Sequence, residues 1–170
     1  LHNASRGTNP YEVAEQLGKY FGAPARALYA PVYVKNAATA EGLRSDAGLS
    51  EALDLARNAD LVVFGVGALS DDATMLRLGY VGAEERDFLA ERGAVGDIAC
   101  RWVDRDGAEV EMPDSIHPIG ISLKRLRGIP DRLAVAGGPA KIEILRATLV
   151  GGYATHLVTD EDSAAALLAD

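Results

Sequence analysis

The stretch ADLVVFGVGALSDD, residues 59–72, decides how this chain is read. Its apolar run is continuous rather than alternating, which is the pattern of a strand buried on both faces of a parallel sheet. The run then enters a Gly-x-Gly loop at Gly65 and Gly67. Outward from it, strand-like and helix-like segments alternate, and that order predicts an α/β fold, a parallel sheet flanked by helices on both faces.

Upstream, Asn9-Pro10 followed by YEVAEQLGKYFG reads as an amphipathic helix with Val13, Leu17, Tyr20 and Phe21 on one face, closed by Gly22. ARALYAPVYV is a strand-like run broken by Pro31, residues 35–45 read as a loop or weakly packed crossover, and residues 49–59 are helical in pattern. Downstream, residues 84–92 form a helix, and GAVGDIACRWVD passes into a strand. Asp106-Gly107 turns a hairpin between Val103 and Val110. SLKRLRGIPDRL supplies a short helix stopped by Gly128 and Pro130. Two strand-loop-helix units close the chain, LAVAGG into PAKIEILRATLVGG and ATHLVTD into EDSAAALLAD.

At 170 residues and 48% hydrophobic content, residues 1–170 make one domain with a core of its own. Lys and Arg total 17 against 25 Asp and Glu, and the net charge of −8, with no Lys/Arg cluster as a local exception, argues against a grip on DNA phosphates. The single cysteine, Cys100, has no partner for an internal disulfide or a thiolate metal site, which fits a reducing cytoplasm. No apolar segment approaches the roughly 20 residues of a membrane helix. The start at Leu1, without Met, suggests a fragment or processed chain.

Ligands of parallel α/β folds sit beyond the carboxyl ends of the strands, which nominates the loops at residues 65–72, 137–141 and 159–161. A fourth, residues 93–97, precedes its strand. In GGPAK, Gly137 and Gly138 allow close backbone approach, and Lys141 places positive charge in a first helical turn, where the macrodipole favours an anion. The segment reads either as an anion site or as a tight turn with a solvated lysine. It lacks P-loop spacing, and GVG lacks the third glycine of a dinucleotide fingerprint. No cofactor and no metal are expected. Asp97 and the Asp160-Glu161 pair could accept hydrogen bonds from sugar hydroxyls, or serve as a solvated loop acid and a helix N-cap. His2, His117 and His156 lie in no triad pattern.

Five motifs in series, ADLVVFGVG, GAVGDI with the Asp104-x-x-Gly107 turn, IGISLKRL, VAGGPAKIEILRATLVGG and LVTDEDSAAALL, resemble the sugar-binding effector domain of the SorC family of bacterial transcriptional regulators. The resemblance covers residues 30–170. It implies a Rossmann-like parallel sheet flanked by helices, a fold similar to sugar-phosphate isomerases and glucosamine-phosphate deaminases, and a pocket for a sugar or sugar phosphate lined by Gly65, Gly67, Asp97, Gly137, Gly138 and Lys141. It further implies a homodimer or homotetramer, with operator DNA bound through a helix-turn-helix domain absent from this chain. Two departures stand out. The family's first strand and its phosphate-contacting loop are not recognisable here, and His117 stands where arginine is common, so Arg77 is nominated to supply the missing charge. An enzyme on the same fold is the alternative, with Asp97 as base and Lys141 as electrostatic stabiliser; no second acid-base partner is evident.

Overall fold

In the computed structural model, which describes residues 10–169, the elements in chain order are α1 (Pro10–Phe21), β1 (Tyr33–Val34), α2 (Ala37–Ser45), α3 (Ala47–Arg57), β2 (Leu61–Phe64), β3 (Val66–Ala68), α4 (Thr74–Arg77) and α5 (Ala83–Glu91). There follow β4 (Ala94–Ile98), β5 (Arg101–Asp104), β6 (His117–Pro118), α6 (Leu123–Arg127), β7 (Asp131–Val135), a 3-10 turn (Pro139–Lys141), α7 (Ile142–Val150), β8 (His156–Val158) and α8 (Glu161–Leu168). Asn9 and His2 lie outside the described residues.

The 59–72 run is not one strand. It divides at Gly65, and its halves join different sheets. β2 pairs in parallel with β7, and β7 with β8, giving the order β2-β7-β8. β3 pairs antiparallel with β4, and β4 with β5. A small third pair joins β1 to β6.

The inner face of the parallel sheet carries Val62, Phe64 and Leu157, which pack on a core of Leu123, Leu126, Ile144, Leu145 and Tyr153. The opposite face differs from the expected two-sided burial. Leu61, Val63, Val135 and Val158 are 53%, 50%, 45% and 54% exposed, so the described residues cover one face only. An apolar pattern records which side chains favour burial, whereas burial itself depends on what lies over them. The face of α1 makes the same point, because its four patterned residues, Val13, Leu17, Tyr20 and Phe21, are all exposed.

Three further expectations are corrected. Residues 35–45 contain helix α2, capped by Asn36 Oδ1 accepting from the Thr39 amide at 2.8 Å and anchored by the fully buried Ala40. Small residues gave little periodicity there, but capping and packing suffice for a helix. ARALYAPVYV keeps only Tyr33–Val34 as strand, consistent with the donor that Pro31 lacks. Residues 93–97 are not a loop before a strand, because Asp97 is inside β4.

The Asp104-x-x-Gly107 turn forms as expected. Asp104 Oδ1 accepts from the amides of Asp106 and Ala108 at 3.0 and 2.8 Å, Gly107 has φ 76°, and Val103 bridges Glu109. α3 and α6 end side by side, since the Asp131 amide at the start of β7 donates to the Asp60 carbonyl before β2 at 3.0 Å. Their ends place Arg57, Lys124 and Arg125 around a cavity of about 370 Å³, a local cationic cluster despite the overall charge. Helix carboxyl ends favour such cations.

Candidate functional site

The carboxyl ends of β2, β7 and β8 run into Gly65, the Ala136-Gly137-Gly138 turn and Thr159-Asp160. The last two loops are locked together. The Gly138 amide donates to Asp160 Oδ2 at 2.6 Å and to Ser163 Oγ at 3.0 Å, while Asp160 Oδ1 accepts from the Ser163 amide at 2.8 Å. A Cβ on Gly137 would stand 2.1 Å from Asp160 Oδ2, and Gly138 has φ 96°. The glycine pair is therefore required where backbone meets carboxylate. Asp160 is the N-cap of α8, and the amides and hydroxyl that it accepts, those of Ser163 first, hold its carboxyl below the usual range.

Lys141 stands at the end of the 3-10 turn, one residue before α7. Its Nζ reaches across the molecule and donates to the Val66 carbonyl at 2.8 Å. Opposite it, Asp97 is only 5% exposed. Asp97 pairs with Gly67 in the β3–β4 register, and its Oδ1 lies where a Cβ on Gly67 would come within 2.0 Å. Oδ2 accepts from the Cys100 amide at 3.1 Å. Burial pushes the Asp97 carboxyl up to about 6, opposed by the Cys100 amide and by the charge of Lys141. The neighbouring Cys100 thiol is pushed up to about 12, by burial and then by Asp97.

The structure thus gathers Gly67, Asp97, Val66 and Lys141 at the start of β3, with Gly137 and Gly138 in the turn leading to Lys141. Gly65 is the exposed hinge between the two sheets, and a Cβ there would make only ordinary contact, 3.7 Å from the Val135 carbonyl. Arg77 ends α4 with its side chain exposed, and among the described residues no hydrogen bond or ion pair ties it to the others. His117 Nε2 is 3.0 Å from the Asp114 carbonyl oxygen. It lines, with Arg44 and Arg101, a cavity of about 470 Å³ beside β6.

Residue-by-residue reading missed Ser163, whose signal was its place three residues after a capping aspartate. It nominated the 159–161 loop without singling out Thr159, whose buried Oγ1, just after β8, has no partner among the described residues. Tyr33, whose hydroxyl donates to the Cys100 carbonyl at 2.8 Å, left no sequence signal, since the contact spans 67 residues.

Residues 1–169 match the family described as "Putative sugar-binding domain". The transcriptional regulator LsrR of Klebsiella pneumoniae is 39% identical over 144 residues, covering 82% of this chain and 44% of that protein. A DeoR family transcriptional regulator from Listeria monocytogenes has a similar structure, with TM-score 0.87 and 30% identity over 93% of this chain and 64% of that one. The full-length sorbitol operon regulator SorC from Klebsiella pneumoniae, 23% identical, shares the fold with TM-score 0.84 over 92% of this chain and 51% of that one. The chain spans about half the length of the curated relatives it matches. With its motifs, fold and matched residues in agreement, the chain belongs to the SorC-type family of sugar-binding domains.

Proposed function

We propose that this chain is the effector-binding part of a bacterial transcriptional regulator, taking a sugar or sugar phosphate at the carboxyl edge of its parallel sheet and controlling operator binding by a helix-turn-helix domain outside it. The observation that carries this reading is the convergence on Val66-Gly67 of a buried carboxylate, Asp97 against Gly67, and an ammonium, Lys141 on the Val66 carbonyl. Asp97 offers an acceptor for hydroxyl groups, and Lys141 offers a full charge for a phosphate or a dipole for a carbonyl. Gly65, Gly137 and Gly138 supply backbone at close range, and Arg77 a second cation from the α4 side. The relatives being regulators supports a sensor in the cytoplasm.

A sensor needs only a ligand that prefers one conformation. Assembly as a dimer or tetramer would carry that preference to DNA. One feature favours the enzyme alternative, namely that burial pushes the Asp97 carboxyl up to about 6, toward the range of a general base. Its neighbour Cys100, however, is held protonated far above that range and supplies no partner base. Titration calorimetry with a panel of pentose and hexose phosphates and their unphosphorylated parents tests the reading. Saturable binding weakened by Asp97→Asn and Lys141→Ala, without turnover of the bound sugar, is the expected result. Catalytic turnover would establish the enzyme instead.

A further inference from the structure

Ala99 and Cys100, neither of them glycine, both hold left-handed backbone, with φ of 50° and 65°. They form the two-residue turn from β4 to β5, closed by the pairing of Ile98 with Arg101. Turns of this kind favour Asn and Gly, which enter the left-handed region at little steric cost. Alanine and cysteine do not, so the turn must be held from outside. Among the described residues two hydrogen bonds hold it, and both fall on Cys100. Its amide donates to Asp97 Oδ2 at 3.1 Å, and its carbonyl accepts from the Tyr33 hydroxyl at 2.8 Å. Tyr33 comes from β1, opposite Pro118, and its ring packs on the second core cluster, which contains Trp102.

We propose that Tyr33 is a positioning residue for Asp97: by holding the Cys100 carbonyl, its hydroxyl keeps the left-handed turn closed and the Asp97 carboxylate seated over Gly67, toward the effector. The functional consequence rests on the reading of Asp97 as an effector contact. Only the hydroxyl is implicated, because the ring keeps its packing in phenylalanine. With Asp97 still buried between β3 and β4, loss of the Cys100 N–H, which favours the ionised form, moves its titration upward.

The groups facing Asp97 are Lys141 before α7, Cys100 in the turn and Tyr33 from β1, with Arg101 beside the last two. The Cys100 thiol lies near 12 and the Tyr33 hydroxyl is pushed up from its ordinary value, so a step near 6 in this cluster belongs to Asp97.

Carbon-detected NMR of the Asp97 carboxyl across pH tests the proposal on the chain without any sugar. Tyr33→Phe is expected to raise the midpoint by about half a pH unit or more. Adding Ala99→Asn and Cys100→Gly, which make a turn stable in itself, is expected to return it toward the wild-type value. An unchanged midpoint in Tyr33→Phe, or a raised one that the Asn-Gly turn leaves raised, overturns the proposal. If Tyr33→Phe alone does not fold, a folded triple variant with a midpoint near wild type supports it, and a triple variant that also fails to fold overturns it, the hydroxyl then being needed for folding at large. Failure of the effector reading shows separately, as ribose 5-phosphate affinity in calorimetry that Asp97→Asn leaves unchanged.

Discussion

The ammonium of Lys141 and the carbonyl of Val66, 75 residues apart, are joined at 2.8 Å across the junction of the two sheets. A lysine that reads in sequence either as an anion contact or as a solvated residue in a first helical turn is thus half-buried and engaged. The Val66 carbonyl takes one of the three ammonium protons and leaves two for an anionic effector.

Lys141→Ala should therefore do two things. It strands a carbonyl at a buried residue, which costs about 1–3 kcal/mol of stability, and it removes a charge-assisted contact of about 1.5–3 kcal/mol from ligand binding. Urea denaturation reads the first. Calorimetry should read the second as roughly a tenfold to hundredfold loss of sugar-phosphate affinity.

The glycines of GVG should separate cleanly. Gly67→Ala drives a methyl into Asp97 Oδ1, 2.0 Å from the ideal Cβ, and should cost about 1–3 kcal/mol while unseating the carboxylate. Gly65→Ala meets nothing closer than 3.7 Å, and its stability should stay within about 1 kcal/mol of wild type. Thermal melts of the two variants side by side check the contrast.

Asp97 makes stability depend on pH in an unusual sense for a carboxylate. Its carboxyl rises from 3.8 unfolded to about 6 folded, so between those values the folded chain binds the extra proton. Its contribution is fully present below about 4 and is lost as pH rises through about 6, a change on the order of 3 kcal/mol. Asp97→Asn cannot ionise, so its stability relative to wild type should increase between pH 4 and pH 7.5. Urea midpoints at both pH values measure the difference, and a constant offset would contradict it.

Asp160→Ala removes the cap of α8 and the acceptor for the Gly138 amide at once. A loss of stability, read as a lower urea midpoint, follows from the cap alone. The Gly137-Gly138 turn should loosen with it, and amide hydrogen exchange at Gly138 should accelerate in the variant.

Electrostatics also predict that this chain does not shift duplex DNA at physiological salt, because its net charge of −8 opposes counterion release. The cluster of Arg57, Lys124 and Arg125 makes the measurement a real test. A salt-sensitive shift abolished by Lys124→Ala and Arg125→Ala would place DNA contact on this domain.

What the sequence determined by itself was local and periodic. The apolar run within residues 59–72 reads as a sheet strand, Asp160 reads as a helix N-cap beside its reading as a hydroxyl acceptor, and Asp104-x-x-Gly107 reads as a turn, because each depends on neighbours a few residues away. The glycines at 65, 67, 137 and 138, with Asp97 and Lys141, were legible as candidates through their motifs. Tertiary structure alone decided what these residues face. It split the strand at Gly65 into two sheets, turned Asp97 from a loop acid into a buried strand carboxyl, and brought Lys141 to Val66 and Tyr33 to Cys100. Arg77 was left apart. Burial, and with it the titration of Asp97, arises from atoms distant in sequence that exclude water from one another, and no short-range pattern records which of them will meet.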